Sequence, residues 1–232
     1  MIEHLKELRA RLLRWALVFF ILFVLAFWQA ERVFAWLAHP MVEALGGHGK
    51  LVFIAPHEAF FTYLRVAMFT AFFGSFPLLL AEIWGFVVPG LYAHERKWFT
   101  PLLFIGALLF YLGAAFAYFG VFPFAFRFFF GFATEGIAAL PSLKESLSLM
   151  MRLLIAFGIA FEVPLALFVL VRFGVVSAEA LARQRGYVVL ALFVLAAVLT
   201  PPDVVTQFML ALPMWLLFEF SLLAARIGRR NG

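Results

Sequence analysis

The sequence predicts an all-α integral membrane protein with six transmembrane helices, bent and arranged around a shallow concave face, with both termini in the cytoplasm. Of its 232 residues, 66% are hydrophobic and only 13% are charged, whereas a soluble domain has roughly 25% charged residues. The mean hydropathy is +1.05. A soluble enzyme, a nucleic-acid-binding protein and a disordered chain are therefore poor interpretations, and the net charge of +5 reflects where a membrane places its basic residues.

Six segments are apolar enough to cross a bilayer, for which a helix needs about 20 residues. They form a single transmembrane domain over residues 1–232, with spans at about 12–30, 64–88, 98–122, 147–171, 186–199 and 204–225. The fifth span is short, since Thr200-Pro201-Pro202 ends it after about 15 residues, or ~22 Å at 1.5 Å per residue. A hydrocarbon core is about 30 Å thick, so the last hairpin requires local thinning of the bilayer or a packing partner.

Prolines and aromatic residues add detail to this arrangement. Four of the spans contain or end at a proline, namely Pro77, Pro123, Pro164 and Pro213. Because proline removes a backbone donor and bends a helix, we expect bent helices around a hollow instead of a straight bundle. Residues 123–146 have five Phe between positions 124 and 130 and few charges, which predicts an interfacial helix on the outer surface.

The distribution of Lys and Arg predicts the orientation, because cytoplasmic ends of spans carry an excess of both. Five lie on the opposite side, namely Arg32, Lys50, Arg65, Arg127 and Lys144, and Arg152 lies inside the fourth span. The remaining twelve share the predicted cytoplasmic side: Lys6, Arg9, Arg11, Arg14, Arg96, Lys97, Arg172, Arg183, Arg185, Arg226, Arg229 and Arg230. This asymmetry, with an even number of spans, places both termini in the cytoplasm.

Glu162 is the most informative charge within the spans. It lies about fifteen residues into the fourth span, near the middle of the bilayer, where an acidic side chain costs ~2.5 kcal/mol or more and usually has a function. Pro164 cannot donate to the carbonyl of Ala160, so an uncovered backbone oxygen is expected beside the carboxyl group. The two would form an intramembrane polar site for a partner side chain, water or a proton. A hydrogen bond within the bundle is the structural alternative.

Other acids lie nearer the predicted cytoplasmic face. Glu82 and Glu219 lie at the depths of Arg96 and Arg226, where snorkelling or ion pairing is the structural alternative. Glu7 is spaced for an i,i+4 pair with Arg11. Glu95, in Pro89-Gly90-Leu91-Tyr92-Ala93-His94-Glu95-Arg96, could complement the dipole of the following helix.

Together, Glu7 and Glu95 could instead receive an incoming cation, and guanidinium matches carboxylate geometrically. Asp203 lies near the N-cap of the last helix, with Pro202 before it and Gln207 one turn later. The sequence has no cysteine and its five His residues are scattered. No metal spacing, phosphate loop or nucleophile–base pair is found, so neither an enzyme nor a cofactor is predicted.

These residues resemble those of the TatC family, the multispanning subunit of the twin-arginine protein translocase. The resemblance covers nearly the whole chain, and its blocks occur in order on the expected sides of the membrane. They are His4-Leu5-x-Glu7-Leu8-Arg9-x-Arg11, Pro56 with Phe60-Phe61, Pro89-x-Leu91-Tyr92-x-His94-Glu95-Arg96, Phe116-Ala117-Tyr118-Phe119, Phe157-Gly158-x-x-Phe161-Glu162-x-Pro164, Thr200-Pro201-Pro202-Asp203 with Gln207, and Pro213-Met214 with Phe218-Glu219.

The resemblance implies a receptor in the bacterial cytoplasmic (inner) membrane that recognises the paired arginines of signal peptides on folded cargo. It implies assembly with TatA-like and TatB-like single-span subunits, self-association within that complex, and export driven by the proton-motive force. It also implies that Glu7 and Glu95 contact the signal arginines, with Arg9 and Arg96 supporting that patch.

Carried over in the same way, Glu162 is the intramembrane polar site, and Asp203 with Gln207 lies where the single-span partners pack. Glu82 departs from the family pattern, which has Gln in this position, and it adds an acid near the signal-binding zone.

A proton-coupled small-molecule transporter is the alternative interpretation. Glu162 would then be the coupling acid, and the Thr200-Pro201-Pro202 break would mark a discontinuous helix. Transporters of that kind have interruptions at corresponding positions of two internal repeats. Here the short segments are both in the C-terminal hairpin, which favours the receptor.

Overall fold

The computed structural model describes residues 2–46, 51–52, 55–87, 99–132, 140–172, 176–199 and 204–230. Within these ranges the chain is helical, apart from short connections and one β-bridge between Val52 and Ser142. The helices are α1 (Ile2–Trp28), α2 (Ala30–Ala44), α3 (Glu58–Val87), α4 (Phe99–Phe116), a π-helical turn (Ala117–Val121), α5 (Phe122–Phe130), α6 (Leu143–Arg172), α7 (Ala178–Arg183), α8 (Arg185–Leu199) and α9 (Val204–Arg230).

Five of the described helical segments are long and apolar enough to cross a membrane, and α8 provides a shorter sixth. The five are Lys6–Trp28, Glu58–Gly85, Thr100–Phe130, Leu143–Val171 and Val204–Leu223. The prediction of an all-α membrane protein with six apolar helices is therefore confirmed. The short fifth helix is also confirmed, because α8 has 15 residues.

The Phe-rich stretch after the third span differs from the prediction. The π-helical turn joins α4 directly to α5, so one helical segment runs from Thr100 to Phe130. Pro123 lies two residues after the end of that π-helical turn. The described part of the Phe-rich stretch is therefore a continuation of the third helix, which the sequence predicts to end at residue 122; its position at the membrane surface stays a prediction. The helix continues through Pro123 because the π-helical turn before it is the kind of local adjustment that lets membrane helices accommodate a proline.

Contacts divide the chain into two compact units. The first contains α1, α2, α3, the start of α4 and the first turn of α6. In this unit α1 lies along α3, and α2 also packs on α3. The buried side chains of α2 and α3 include Leu37, Met41, Val66, Ala67 and Ala71.

The second unit contains the rest of α4, α5 and α6 together with α7, α8 and α9. Two glycines allow α4 and α6 to approach closely in it. A side chain at Gly113 would meet the backbone oxygen of Phe157, and one at Gly158 would meet the ring of Phe110. Small residues at such positions are typical of helix pairs in membranes, since they let the backbones come together.

Candidate functional site

A cluster of four charged side chains joins α1 to α3 within the first unit. The guanidinium of Arg11 donates to Glu7 Oε1 from Nη2 at 2.8 Å and from Nε at 3.2 Å. It also donates from Nη1 to Glu82 Oε2 at 3.1 Å. Arg14 donates from Nη2 to the same Glu82 oxygen at 3.1 Å. We call these four residues, Glu7, Arg11, Arg14 and Glu82, the carboxylate–guanidinium cluster.

The four side chains of the cluster differ in their exposure to solvent. Side-chain exposure is 12% for Glu82 and 20% for Arg11, but 37% for Glu7 and 63% for Arg14. Screening by water weakens exposed ion pairs, so the Arg11–Glu82 contact is the stronger link between the helices. The accessible members, Glu7 and Arg14, are the ones that an incoming ligand would meet first.

Two further features of α3 position this cluster. Trp15 Nε1 donates to Ser75 Oγ at 3.1 Å, about two turns before Glu82 on α3, and Ser75 is almost fully buried. Gly85, three residues after Glu82, leaves space that the Arg11 guanidinium occupies, because a Cβ there would collide with Arg11 Nη1. The helix pairing and the small residue therefore place Arg11 against Glu82.

The chemistry available to this cluster is ion pairing. Two carboxylates on different helices each accept hydrogen bonds from guanidinium, and Glu82 already binds two guanidinium groups with one oxygen. A carboxylate has about four lone-pair sites, so further donors can be accommodated. Among the described residues, no group of three or more His, Cys, Asp or Glu is placed to bind a metal ion.

The structure brings some of the predicted site residues together. The predicted i,i+4 pair of Glu7 and Arg11 is present, and Arg9 is exposed on the same helix. Glu82 joins them through Arg11, so its expected ion pairing is present, with a partner that the sequence did not indicate. Glu95 and Arg96, as well as Asp203, lie outside the described residues.

Arg14 is the member of the cluster that sequence reasoning missed. It follows Arg11 by three residues, and residues with that spacing share a helix face. That spacing was the available signal, but it could not show which acid the two arginines contact.

Glu162 is half-buried on α6, one turn after Gly158. Its Oε1 is buried and has no hydrogen-bond partner within the described part of the chain. Because Gly158 lies where α6 approaches α4, Glu162 is placed just beyond that close contact, and Phe161 beside it packs on Phe116 with ring centroids 5.9 Å apart. An unsatisfied buried carboxyl oxygen is costly, which makes this position a candidate site for a polar partner.

The last hairpin uses two other predicted residues in internal contacts. Gln207 donates from Nε2 to the backbone oxygen of Phe193 at 3.0 Å, which ties α9 to α8. Glu219 accepts a hydrogen bond from Arg185 Nη2 at 2.8 Å. The expected ion pairing of Glu219 is thus present, with its partner on α8.

Residues 3–213 match the sequence model of the family described as Sec-independent protein translocase protein (TatC). The protein of that name from Magnetococcus marinus is 45% identical over 226 residues, which cover 97% of this chain and 83% of the relative. The Escherichia coli K12 protein is 38% identical and covers 97% of this chain and 88% of its own length. The Aquifex aeolicus protein is 38% identical, with 99% and 95% covered.

Solved structures give the same result. A crystal structure described as the twin arginine translocase receptor TatC superposes with a TM-score of 0.86 at 38% identity, covering 97% of this chain and 98% of that one. A second crystal structure of that receptor, in DDM, has a TM-score of 0.87 at 38% identity and covers 96% and 99%. These comparisons do not support a small-molecule transporter.

Proposed function

The chain belongs to the TatC family of Sec-independent protein translocase proteins, which are translocase components and not enzymes, and on that basis we propose that it is the receptor for twin-arginine signal peptides of folded cargo. The single observation that carries the proposal is the carboxylate–guanidinium cluster. Its two carboxylates bind two guanidinium groups of this chain at 2.8–3.1 Å. A twin-arginine signal presents two groups of the same chemistry.

The proposed recognition step is an exchange of guanidinium groups. Glu7 and Glu82 accept the signal arginines in place of, or together with, Arg11 and Arg14. Arginine suits this role because its planar fork binds carboxylate at two points, whereas the lysine ammonium is a point charge. The site should therefore discriminate between paired arginines and paired lysines, although both carry the same charge.

Further residues are assigned to this step by the family resemblance. Glu95 contributes a third carboxylate, and Arg9 and Arg96 support the patch around it. Since Glu82 is an acid where the family pattern has Gln, this chain has one more negative charge at the cluster. We expect that charge to strengthen the binding of guanidinium.

The steps of export that follow signal-peptide binding are proposed to involve residues of the second unit. TatA-like and TatB-like single-span subunits would pack near Asp203 and Gln207, and the unpartnered oxygen of Glu162 would accept a polar group of such a partner. The short α8 supports this placement, since a helix shorter than the hydrocarbon core is stabilised by a packing partner. The protein would reside in the bacterial inner membrane with both termini in the cytoplasm, and the proton-motive force would drive export.

The receptor role is tested by the affinity of the protein, reconstituted in nanodiscs, for a fluorescent Arg-Arg signal peptide and its Lys-Lys version. We expect the Arg-Arg peptide to bind at least about tenfold more tightly, since two bidentate contacts are lost with lysine. Glu7→Gln combined with Glu82→Gln should remove most of that preference. Glu31→Gln combined with Glu145→Gln is the matched control, because it removes two exposed acids elsewhere.

Two results would contradict the receptor role. One is equal affinity for the two peptides in the unmodified protein. The other is a preference for Arg-Arg that survives the Glu7 and Glu82 substitutions while thermal unfolding shows an intact fold. Glu95→Ala, measured in the same way, tests the residue assigned by the resemblance alone, and it should abolish binding of the Arg-Arg peptide.

The role of Glu162 is tested separately by export. Glu162→Ala should leave signal-peptide affinity unchanged and impair export of a twin-arginine cargo into inverted membrane vesicles that contain the single-span subunits. Glu145→Ala, an exposed acid at the start of the same helix, is the control and should export normally. Normal export by Glu162→Ala would reduce Glu162 to a structural residue.

A further inference from the structure

A cavity of about 300 Å³ lies in the first unit at the start of α3, about 24 residues along that helix from Glu82. Its walls come from the segment before α3, the first two turns of α3 and the start of α6. The lining residues that carry the argument are His57, Glu58, Phe61, Arg65 and Lys144. This volume falls at the lower end of ligand-binding pockets, which are about 300–1,000 Å³.

Backbone pairing builds this cavity. Val52 N donates to Pro141 O at 3.3 Å, and Leu143 N donates to Val52 O at 2.9 Å. These bonds form the β-bridge between the two connecting segments. The N-terminal ends of α3 and α6 are therefore held together before any ligand binds.

The carboxylate of Glu58 is hydrogen-bonded to both of these connecting segments. It is 7% exposed, and its carboxylate accepts hydrogen bonds from Ala55 N at 3.3 Å, Ser142 Oγ at 3.3 Å and Lys144 N at 3.0 Å. Carboxylates that accept backbone N–H bonds are well stabilised. Glu58 therefore links the segment before α3 to the start of α6.

Two cationic side chains also line the cavity. Arg65 and Lys144 are both exposed, as is the imidazole of His57. Across the described ranges of the chain, no ion pair involves Arg65 or Lys144. Two cations from different helices therefore face one cavity, which is the arrangement expected for an anion.

The position of Arg65 indicates that this anion belongs to a lipid. Arg65 lies between Phe61 and Met68 on one face of α3, and these two apolar side chains are 49% and 48% exposed. It lies seven residues after Glu58, or roughly 10 Å along the helix at 1.5 Å per residue. A cation in an apolar stripe on a membrane helix is costly unless it reaches a polar head group or an anion.

We infer that this cavity binds the glycerophosphate group of one anionic phospholipid, with the phosphate at Arg65 and Lys144 and an acyl chain along the Phe61–Met68 face of α3. The phosphate supplies the charge that both cations lack, and the acyl chain covers the apolar stripe. In the orientation proposed above, with both termini in the cytoplasm, this lipid belongs to the outer leaflet. Basic groups beside a membrane each favour anionic lipid by about 1 kcal/mol.

The test is native mass spectrometry of the delipidated protein titrated with phosphatidylglycerol, phosphatidylcholine or inorganic phosphate. We expect the first phosphatidylglycerol to bind about tenfold or more tightly than phosphatidylcholine, because two basic groups contribute. Arg65→Gln combined with Lys144→Gln should bring the two lipids to nearly equal affinity. The matched control is Arg32→Gln combined with Arg127→Gln, which removes two exposed cations that do not line the cavity, and it should keep the preference.

Three outcomes would overturn the inference. The first is equal binding of the two lipids by the unmodified protein, and the second is an unchanged preference in the Arg65 and Lys144 variant. The third is displacement of phosphatidylglycerol by inorganic phosphate at similar concentrations, which would show a free-anion site. Arg65→Lys keeps the charge and should retain the preference, which supports the role of charge at this position.

Discussion

Arg11 provides the most direct test of the proposed exchange at the carboxylate–guanidinium cluster, because it occupies the carboxylates that a signal arginine is proposed to bind. It donates two hydrogen bonds to Glu7 and one to Glu82. Arg11→Gln removes the positive charge and keeps a polar, though shorter, side chain. Glu7 and Glu82 would then be free to bind the peptide without displacing an internal partner.

The size of the expected change in peptide affinity follows from the solvent exposure of the two ion pairs that Arg11 makes, with Glu7 and with Glu82. The Glu7 pair is 37% exposed at the carboxylate, and solvent-exposed pairs contribute about 0.2–1 kcal/mol. The Glu82 contact is better shielded, with 12% exposure, and hydrogen bonds to charged groups contribute about 1.5–3 kcal/mol when protected. Arg14 still pairs with Glu82 and partly neutralises it. We therefore expect the binding free energy of the peptide to become more favourable by roughly 1–2 kcal/mol, which is a 5- to 30-fold increase in affinity.

The assay is fluorescence anisotropy of the Arg-Arg peptide with the protein in nanodiscs at low and high salt. Lys6→Gln is the matched control, because it removes one exposed cation from the same helix, and its effect should be below about threefold and disappear at high salt. An Arg11→Gln affinity that is unchanged or lower, in a protein that is still folded at the assay temperature, would refute the exchange.

Three further predictions concern the packing around the sites. Glu82→Gln should lower affinity for the Arg-Arg peptide about three- to tenfold, because a charge-assisted bond is roughly twice as strong as a neutral one; the measurement is anisotropy, and tighter binding would contradict it. Gly85→Ala should displace the Arg11 guanidinium and change the unfolding temperature only slightly, because the displaced group ends a flexible side chain and Ala favours the helix; in an Arg11→Gln background the same substitution should be stabilising, as a double-mutant cycle would show. Gln207→Ala should cost about 1 kcal/mol of stability through loss of one hydrogen bond to Phe193 O, measured by chemical unfolding. Phe208→Leu is the comparison, because it removes only the contact of the Phe208 ring with the Phe193 ring, whose centroids are 4.9 Å apart.

The sequence by itself determined the membrane class, the six apolar helices and the short α8. These follow from local rules, because the thickness of a bilayer fixes the length of an apolar run and Thr200-Pro201-Pro202 ends one. The Glu7–Arg11 pair was equally predictable, since the helical repeat places residues four apart on one face. The third helix extends beyond the end that Pro123 predicts, because a π-helical turn accommodates the proline, and such a local adjustment is not visible in residue spacing.

Only the tertiary structure decided which helix faces meet. Glu82 is 71 residues from Arg11 and 68 from Arg14, and no local spacing relates them. Their contact depends on α1 lying along α3, on the Trp15–Ser75 hydrogen bond and on the space at Gly85. The cavity at Arg65 and Lys144 likewise requires the bridge between Val52 and Ser142. Helical periodicity determines neighbours within one helix, whereas neighbours on different helices are set by packing of the whole chain.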